Sequence, residues 1–162
     1  MTTWQSFAAA APSLAAHVHR RFTSGESHVL ATLRRDGSPR VSGSEVSFRD
    51  DGRLYIGSML HAVKARDLQR DGRFALHAYP GIEDGGEGDA KLAGVASEIT
   101  DPESLSRLEV DPASHLFHLD IGEAVYTWVA DNTLFTESWH DGGAWVRFAR
   151  PDNGPVERTV LG

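Results

Sequence analysis

The feature that most constrains the fold is a series of short β-type segments joined by Asp-Gly pairs over residues 28–76. Asp-Gly is a preferred turn between antiparallel strands, because both residues tolerate the positive φ angles that such turns need. Asp36-Gly37 follows the first apolar run and Asp51-Gly52 follows the second. The spacing therefore predicts an antiparallel meander of three strands, at His28–Leu33, Pro39–Phe48 and Leu54–Ser58.

Helices and further strands surround this meander. Residues His61–Arg70 carry apolar positions at Val63 and Leu68 and end at a third Asp-Gly pair, which predicts a helix. A proline at position 12 suits the first turn of an N-terminal helix that would run to about Phe22, with Leu14, Val18 and Phe22 on one face. Additional strands are predicted at Phe74–Tyr79, Ala90–Ile99, Leu116–Leu119, Ala124–Val129, Leu134–Trp139 and Ala144–Ala149, and a short helix at 102–108.

This element pattern predicts a mainly β, α+β protein in which an antiparallel barrel or sandwich carries a few peripheral helices. The length of 162 residues fits one domain. We assign residues 1–150 to that domain, including the N-terminal helix, and residues 151–162 to a loose, polar C-terminal tail. The glycine-rich, acidic stretch Pro80–Asp89 has no periodicity and is predicted to be a mobile loop.

Composition excludes several kinds of function. The chain has no cysteine, so disulfides, thiolate metal sites and a cysteine nucleophile are excluded. No apolar run approaches the ~20 residues of a membrane-spanning helix, and the N-terminus lacks the basic start of a signal peptide. A net charge of −7 weighs against binding to nucleic acid. We therefore expect a cytoplasmic protein with neither a membrane nor a nucleic acid as its partner.

Positive charge is concentrated in one part of the chain. Residues 20–73 contain 11 of the 16 Lys and Arg and 7 of the 23 Asp and Glu, which makes this segment +4 and the remainder −11. A local basic region within an acidic protein suits a small anionic ligand better than a polyanion. The alternative is chance clustering on a solvated face.

Two polar stretches within this basic region are candidates for a ligand site. In the strand Arg40–Glu45, Gly43 permits close approach of a ligand, and the period of two places Arg40, Ser42 and Ser44 on one face. The alternative is a solvent-exposed strand with a bulge at Gly43. The second stretch is Gly57, Ser58 and Met59 followed by a helix whose first turn holds Lys64. A polar loop that leads into a helix with a nearby cation is a good phosphate site, although a plain strand-to-helix connection is the alternative.

Other chemistry finds little support in the sequence. The eight histidines form no HExxH or comparable ligand motif, so no metal site is assigned. The chain has no nucleophile elbow, no P-loop and no dinucleotide fingerprint. The acidic Gly85–Gly88 stretch would repel a phosphate. The catalytic residues, if there are any, are unknown at this stage.

The chain resembles the pyridoxamine 5′-phosphate oxidase-like proteins, which are split β-barrel proteins that bind FMN or the deazaflavin coenzyme F-420. The resemblance is strongest over residues 28–78 and weaker to about 149. It rests on the pattern Arg40-Val41 … Leu54-Tyr55-Ile56-Gly57-Ser58 … Lys64-Ala65-Arg66-Asp67-Leu68 … Asp71-Gly72-Arg73-Phe74-Ala75-Leu76.

The resemblance implies a homodimer that holds its cofactor in a groove between subunits. Arg40 and Lys64 would contact the cofactor phosphate, and the backbone of residues 41–43 would face the ring system. The segment Gly57, Ser58 and Met59 would lie beside the phosphate-bearing chain. Trp139 or Trp145 is our guess for a ring contact supplied by the partner subunit. The implied cofactor-binding set is Arg40, Val41, Ser42, Gly43, Gly57, Ser58, Met59 and Lys64.

The implied activity is that of an FMN- or deazaflavin-dependent oxidoreductase, which transfers hydride to or from a small organic substrate. The alternative is a non-catalytic split barrel that binds flavin, haem or another tetrapyrrole. Val63 stands where the oxidase usually has a second basic residue, and no C-terminal Arg-and-Trp signature is recognisable, so vitamin B6 synthesis is not expected. The deazaflavin has a longer anionic tail, for which Arg34, Arg35, Arg66 and Arg70 are candidates.

Overall fold

The computed structural model describes residues 2–79 and 88–162, which contain four helices and ten strands. The helices are α1 (Trp4–Ala10), α2 (Pro12–Thr23), α3 (Val63–Arg70) and α4 (Pro102–Arg107). The strands are β1 (His28–Leu33), β2 (Pro39–Ser44), β3 (Val46–Phe48), β4 (Leu54–Met59), β5 (Arg73–His77), β6 (Asp89–Glu98), β7 (Ser114–Ala130), β8 (Thr133–His140), β9 (Val146–Pro151) and β10 (Glu157–Val160).

The described strands form one antiparallel sheet in the order β10-β9-β8-β7-β6-β5-β1-β2. Strand β4 is not part of this series. It pairs with β3 on one side and with the first part of β7 on the other. Strand β2 pairs with β1 alone, so the sheet does not close between β2 and β3. This is a split β-barrel with peripheral helices, and it confirms the predicted mainly β, α+β class.

The long strand β7 organises the barrel. It pairs with β4 over Ser114–Leu119 and with β8 over Glu123–Ala130, while β6 runs along its other edge. The register to β6 shifts at Ala93/Gly94, where a Cβ on Gly94 would lie 1.9 Å from the carbonyl oxygen of Asp120. The sequence predicted two separate strands in this region. A single strand spans both, and its two halves pair with different strands, β4 and β8.

The N-terminal helices close one side of the core. Pro12 opens α2, as predicted, and Leu14, Val18 and Phe22 are all buried along one face of that helix. In α1, the side chain of Phe7 is buried and its ring lies 5.0 Å from that of Trp139. The predicted helical face of α2 is therefore confirmed.

The predicted turns are present, and the predicted strand Pro39–Phe48 is divided. Gly37 and Gly52 have φ angles of +82° and +73°, as expected for tight turns that favour glycine. Residue Glu45 separates β2 from β3, and these two strands pair with β1 and β4 respectively. The division opens the barrel at the point where the candidate site lies.

The prediction of a loose C-terminal tail was wrong. Residues Glu157–Val160 form β10, which pairs with β9, and the backbone nitrogen of Trp145 donates to the carbonyl oxygen of Gly162 at 2.8 Å. All four residues of β10 are exposed. An edge strand that buries neither face carries no hydrophobic alternation, so the pattern of apolar residues does not predict it.

Of the loop predicted at Pro80–Asp89, residues 80–87 lie outside the described part, and Asp89 is the first residue of β6. Among the described residues, none of the helices has the length and apolar character that crossing a bilayer requires.

Candidate functional site

A cavity of about 700 Å³ lies where β2, β4, β7 and the start of α3 meet. Eight of its fourteen lining residues are polar or charged. They include five serines: Ser27 before β1, Ser44 in β2, Ser47 in β3, Ser58 in β4 and Ser114 in β7. Three charged side chains, Glu45, Arg49 and Lys64, also contribute to the wall. The full lining is Ser27, Gly43, Ser44, Glu45, Val46, Ser47, Arg49, Gly57, Ser58, Met59, Ala62, Lys64, Ser114 and Leu116.

The first turn of α3 gives this cavity a positive end. The N-cap residue Ala62 makes no side-chain hydrogen bond, and the first turn contains no acidic residue. The first N–H groups of a helix have no partner within the helix and carry the positive end of its dipole. This turn is therefore suited to an anion.

Lys64 adds a full positive charge at the same place. Its Nζ donates to the carbonyl oxygen of Gly43 at 2.8 Å and lies 3.5 Å from Oγ of Ser44. Burial lowers the pKa of Lys64, and the nearby Glu45 opposes this effect. The ammonium is thus partly stripped of water, which strengthens its attraction for an anion that enters the cavity.

The open side of the barrel leaves β2 with one unpaired edge among the described strands. Register with β1 places Arg40, Ser42 and Ser44 on one face, as predicted, and Val41 and Gly43 on the other. The N–H and C=O groups along an unpaired edge can bond a ligand that has its own donors and acceptors. Strand β2 thus offers backbone groups to the edge of a flat polar ring.

Ser58 is the most unusual residue in the wall. It is 7% exposed, and its Oγ has no hydrogen-bond partner among the described residues. It follows Gly57, whose bare backbone borders open space: a Cβ added there would meet no atom within 4 Å. Buried hydroxyl groups without a partner are rare and costly, so Ser58 is expected to lower the stability of the protein.

We expect the replacement Ser58→Ala to stabilise the protein, because it removes a buried hydroxyl that has no partner. The expected gain is about 1 kcal/mol, or an increase of roughly 2–4 °C in the unfolding midpoint. Calorimetry or thermal melting followed by circular dichroism measures this shift. A midpoint lowered by several degrees would show that the hydroxyl contributes to stability after all.

Arg40 lies outside the cavity wall. Its Nε donates to Oδ2 of Asp67 at 2.6 Å, and Asp67 also accepts from Thr32 at 3.1 Å and from Arg70 at 3.1 Å. Arg70 additionally donates to the carbonyl oxygen of Leu33. This group of four side chains fastens α3 to β1 and β2, one helical turn beyond Lys64.

Asp67 is the centre of that group. It is 3% exposed, and its carboxylate is the shared acceptor for two arginines and a threonine. Burial by itself would raise the pKa of Asp67, but the hydrogen bonds from Arg40, Arg70 and Thr32 outweigh it and leave the pKa below its usual value. The Asp67 carboxylate is therefore ionised in the folded protein at neutral pH.

Five of the eight predicted cofactor-binding residues line the cavity. These are Gly43, Gly57, Ser58, Met59 and Lys64. Arg40, Val41 and Ser42 do not: Arg40 is engaged by Asp67, Val41 is exposed on the outer face, and Ser42 shares the inward face of β2 with Arg40. The contact of Arg40 with a phosphate, like the other assigned contacts, stays a prediction.

Several wall residues come from distant parts of the chain and were not predicted. Ser27 precedes β1, Ser47 lies in β3, Arg49 follows it, and Ser114 begins β7. Ser114 enters the wall because its strand pairs with β4, where it stands opposite Met59. A long-range pairing of this kind has no local signal in the sequence.

The two tryptophans that we considered for ring contacts have partners within their own subunit. Trp139 is 5% exposed and its ring lies 5.0 Å from that of Phe7. Trp145 donates from Nε1 to Glu137 at 3.1 Å. A ring contact from either tryptophan stays a prediction.

Among the described residues, no group of three or more histidine or carboxylate side chains is placed to hold a metal ion. His61 has a φ angle of +67° and forms the bend between β4 and α3. Its carbonyl oxygen accepts from Arg66 at 2.9 Å, which fixes the direction in which α3 starts.

The fold and the cavity define a class of protein: a split β-barrel whose open side carries a polar, partly cationic cavity at a helix start. A family model described as pyridoxamine 5′-phosphate oxidase matches residues 15–148. Since the match covers well over half of the chain, the protein belongs to the pyridoxamine 5′-phosphate oxidase family. No curated protein sequence matches the chain.

Solved structures with the same fold are similar at low sequence identity. A pyridoxamine 5′-phosphate oxidase-related, FMN-binding protein of Nostoc punctiforme has a TM-score of 0.61 at 14% identity, covering 94% of this chain and 96% of that one. ChuZ of Campylobacter jejuni has a TM-score of 0.62 at 12% identity, covering 81% and 61%. A protein of unknown function from Agrobacterium tumefaciens has a TM-score of 0.55 at 17% identity, covering 65% and 52%. These likenesses show the fold.

Proposed function

We propose that this protein binds FMN, with the phosphate held at the start of α3, and acts as an oxidoreductase on a small organic substrate. The observation that carries the proposal is the position of Lys64 Nζ, which lies in a serine-lined cavity beside the uncapped first turn of α3. Family membership and the FMN-binding relative from Nostoc punctiforme support a flavin as the ligand.

The residues of the cavity suit the parts of FMN in turn. Lys64 and the N–H groups of the first turn of α3 match the charge of a phosphate. The serine hydroxyls along the wall match a polyhydroxyl chain, since each can donate and accept. The unpaired edge of β2 would face the polar edge of the ring system. Ser58 also lies in this wall, and its buried Oγ has no partner among the described residues.

In such a site the bound flavin supplies hydride transfer, and the protein supplies binding, orientation and electrostatics. The backbone groups near Ser42 and Gly43 would stabilise negative charge at the ring edge. Lys64 would hold the phosphate end and thereby fix the position of the ring along β2. No nucleophile is needed for this chemistry.

The cavity favours FMN over the deazaflavin coenzyme F-420. The four arginines proposed for a longer anionic tail, Arg34, Arg35, Arg66 and Arg70, do not line the cavity. Arg66 donates to His61 and Arg70 to Asp67, so both have roles in fixing α3. Arg49 is the second cation in the wall, and titration with F-420 tests whether it can serve such a tail.

We further propose that the protein is a homodimer that packs through the outer face of the sheet. This face carries rows of small apolar side chains across β1, β5 and β6, with Ala31 opposite Ala75 and Ala75 opposite Ala93. Together with Val29 and Val125 they line an apolar depression of about 300 Å³. Close to the cavity, Met59, Leu60 and Val63 are also exposed, as expected if a partner subunit covers them.

The replacement Ala75→Glu is expected to convert the dimer to a monomer, because it places a charge in the middle of this apolar face. The matched control is Ala130→Glu, which lies at the exposed end of β7 and is expected to remain dimeric. Size-exclusion chromatography with light scattering measures both masses. A wild-type protein that is monomeric at micromolar concentration contradicts this proposal.

The flavin proposal is tested on the purified full-length protein. Absorbance and mass spectrometry after denaturation identify any cofactor that copurifies, and calorimetric titration gives the affinity for FMN, F-420 and haem. Oxidation of NAD(P)H or of reduced F-420 then separates an enzyme from a non-catalytic carrier. If FMN does not bind below about millimolar concentration, the proposed function is wrong.

A further inference from the structure

Arg49 is a second cation in the cavity wall, and the proposed phosphate site gives it no role. It follows β3, and its backbone nitrogen donates to the carbonyl oxygen of Arg53 at 3.1 Å, so the two arginines face each other across the β3–β4 hairpin. Ser58 lies in the same wall, five residues after Arg53 and close to the end of β4. Five residues of an extended strand span roughly 16 Å. The backbone of Arg49 is therefore at the hairpin end of the cavity, and α3 starts from the other end.

Lys64 lies at that other end. Its Nζ is 3.5 Å from Oγ of Ser44, the last residue of β2, and 2.8 Å from the carbonyl oxygen of Gly43. Between Ser44 and Arg49 the chain passes Glu45, which divides β2 from β3, and then runs through β3. The proposed place for FMN, with its phosphate beside Lys64 and its ring along β2, therefore leaves the part of the cavity beside β3 to a second ligand.

The charge of Arg49 is available to such a ligand. Among the described residues its guanidinium makes no ion pair and one hydrogen bond, from Nη1 to the carbonyl oxygen of Leu108 at 3.4 Å. That distance exceeds the usual range of about 2.7–3.2 Å for an N–H···O bond, so little is lost when the guanidinium turns to a better acceptor. Glu45 is the acid of the cavity wall, and its charge acts on Lys64, whose pKa it raises against the effect of burial.

The chemistry of a guanidinium indicates what kind of ligand would bind there. Its planar fork of N–H groups matches the two oxygens of a carboxylate, which it binds through two parallel hydrogen bonds. We propose that Arg49 binds the carboxylate of the substrate, which is a small organic acid held between Arg49 and the flavin ring. The inference rests on the proposed function, because the flavin must occupy the α3 end of the cavity for the hairpin end to receive the substrate.

The test uses the FMN-loaded protein and two probes of similar shape, benzoate and benzamide, of which only benzoate is charged. We define the charge preference as the ratio of the benzamide Kd to the benzoate Kd. Both are measured by calorimetric titration at low salt, because Arg49 is exposed and salt would screen its charge. The wild type is expected to have a charge preference of about ten or more, the effect of one charge-assisted contact. Arg49→Gln is expected to lower it about tenfold and to change the benzamide Kd by less than about twofold.

Arg53→Gln is the matched control for this effect. It removes the same charge from the residue that faces Arg49 across the hairpin, but Arg53 lines a different cavity. Its charge preference is expected to stay within about twofold of the wild-type value. Arg49→Lys is expected to keep part of the preference, because an ammonium group attracts a carboxylate but cannot form the two parallel bonds.

Three results would overturn the inference. Benzoate that fails to bind the FMN-loaded wild type below about 10 mM, or that binds no more tightly than benzamide, shows that no anion site lies beside the flavin. An unchanged charge preference in Arg49→Gln, or an equal loss in Arg53→Gln, shows that the preference does not come from Arg49. Loss of affinity for both FMN and riboflavin in Arg49→Gln shows that Arg49 contacts the flavin ring instead. Each of these results leaves FMN binding by the wild type intact, whereas a wild type that does not bind FMN overturns the proposed function itself.

Discussion

Replacement of Lys64 by alanine is expected to weaken FMN binding about 10- to 100-fold, the effect of losing a charge-assisted contact of about 1.5–3 kcal/mol. Lys64 is the group that combines a full charge, partial burial and a place beside the start of α3. Riboflavin, which lacks the phosphate, is expected to bind the variant within about twofold of the wild type. Calorimetric titration with both flavins measures the difference.

The outcome that contradicts this account is an FMN affinity that is the same in Lys64→Ala and in the wild type. Lys64 would then serve only to join α3 to β2 through its bond with the carbonyl oxygen of Gly43. Equal losses for FMN and riboflavin would point to the same conclusion, since they would show a disturbed cavity rather than a missing phosphate contact. Lys64→Arg is the conservative comparison and is expected to keep most of the affinity.

Lys64 and the arginine of the Lys64→Arg variant are also expected to differ in how their charge, and with it the affinity for FMN, depends on pH. Burial lowers the pKa of Lys64, so its charge is lost at a lower pH than for a lysine in water. Only the protonated form attracts the phosphate, and the affinity of the wild type for FMN is therefore expected to fall as the pH rises through this lowered pKa. The guanidinium of arginine stays charged up to about pH 12, so the affinity of Lys64→Arg for FMN is expected to change little over the same pH range.

The second large effect concerns stability. Asp67→Asn is expected to lower the free energy of unfolding by about 2–3 kcal/mol, which corresponds to a fall of roughly 5–10 °C in the unfolding midpoint. The variant leaves Arg40 and Arg70 without their counter-charge and Thr32 with a weaker acceptor. The value is below that of a fully buried pair, because the two arginine side chains are 26% and 34% exposed.

Asp71→Asn is the matched control for this effect. Asp71 lies four residues further along the chain and is also paired with an arginine, Arg73, but that pair is on the surface. Its replacement is expected to leave the unfolding midpoint almost unchanged. If the two variants melt at the same temperature, the group around Asp67 does not fasten α3 in the way described.

Acid is expected to reduce the difference in unfolding midpoint between the wild type and Asp67→Asn. The pKa of Asp67 is lowered in the folded protein, so its contribution is fully present above the unfolded value of about 3.9 and is lost as the pH falls through the lower folded value. The gap in unfolding midpoint between the wild type and Asp67→Asn is expected to be constant near neutral pH and to narrow below about pH 4. Melting curves over this range measure it.

Local features of the fold were predictable because their causes are local. The Asp-Gly turns, the apolar face of α2 and the position of α3 each depend on a few neighbouring residues. The strand β10 was not predicted because both its faces are exposed. It is held by backbone pairing with β9, which leaves no hydrophobic alternation in the sequence. The division at Glu45 was missed because β2 and β3 differ only in their distant partners.

Residues of the candidate site were also predictable only where their positions depend on neighbouring residues. Gly57, Ser58 and Lys64 could be identified from one strand-to-helix connection, and all three line the cavity. Arg40 was placed on the correct face of β2, but the sequence did not show that Asp67 lies within reach of it. Likewise, the place of Ser114 in the wall depends on the pairing of β4 with β7, strands more than fifty residues apart, and only the fold shows it.

The most direct test of the central claim is a crystal structure of the protein grown with FMN. The account predicts that the phosphate lies at the start of α3, with an oxygen about 2.7–3.2 Å from Nζ of Lys64 and the ring system along the free edge of β2. Phosphate density elsewhere on the protein, with Lys64 still bonded only to Gly43, would contradict it.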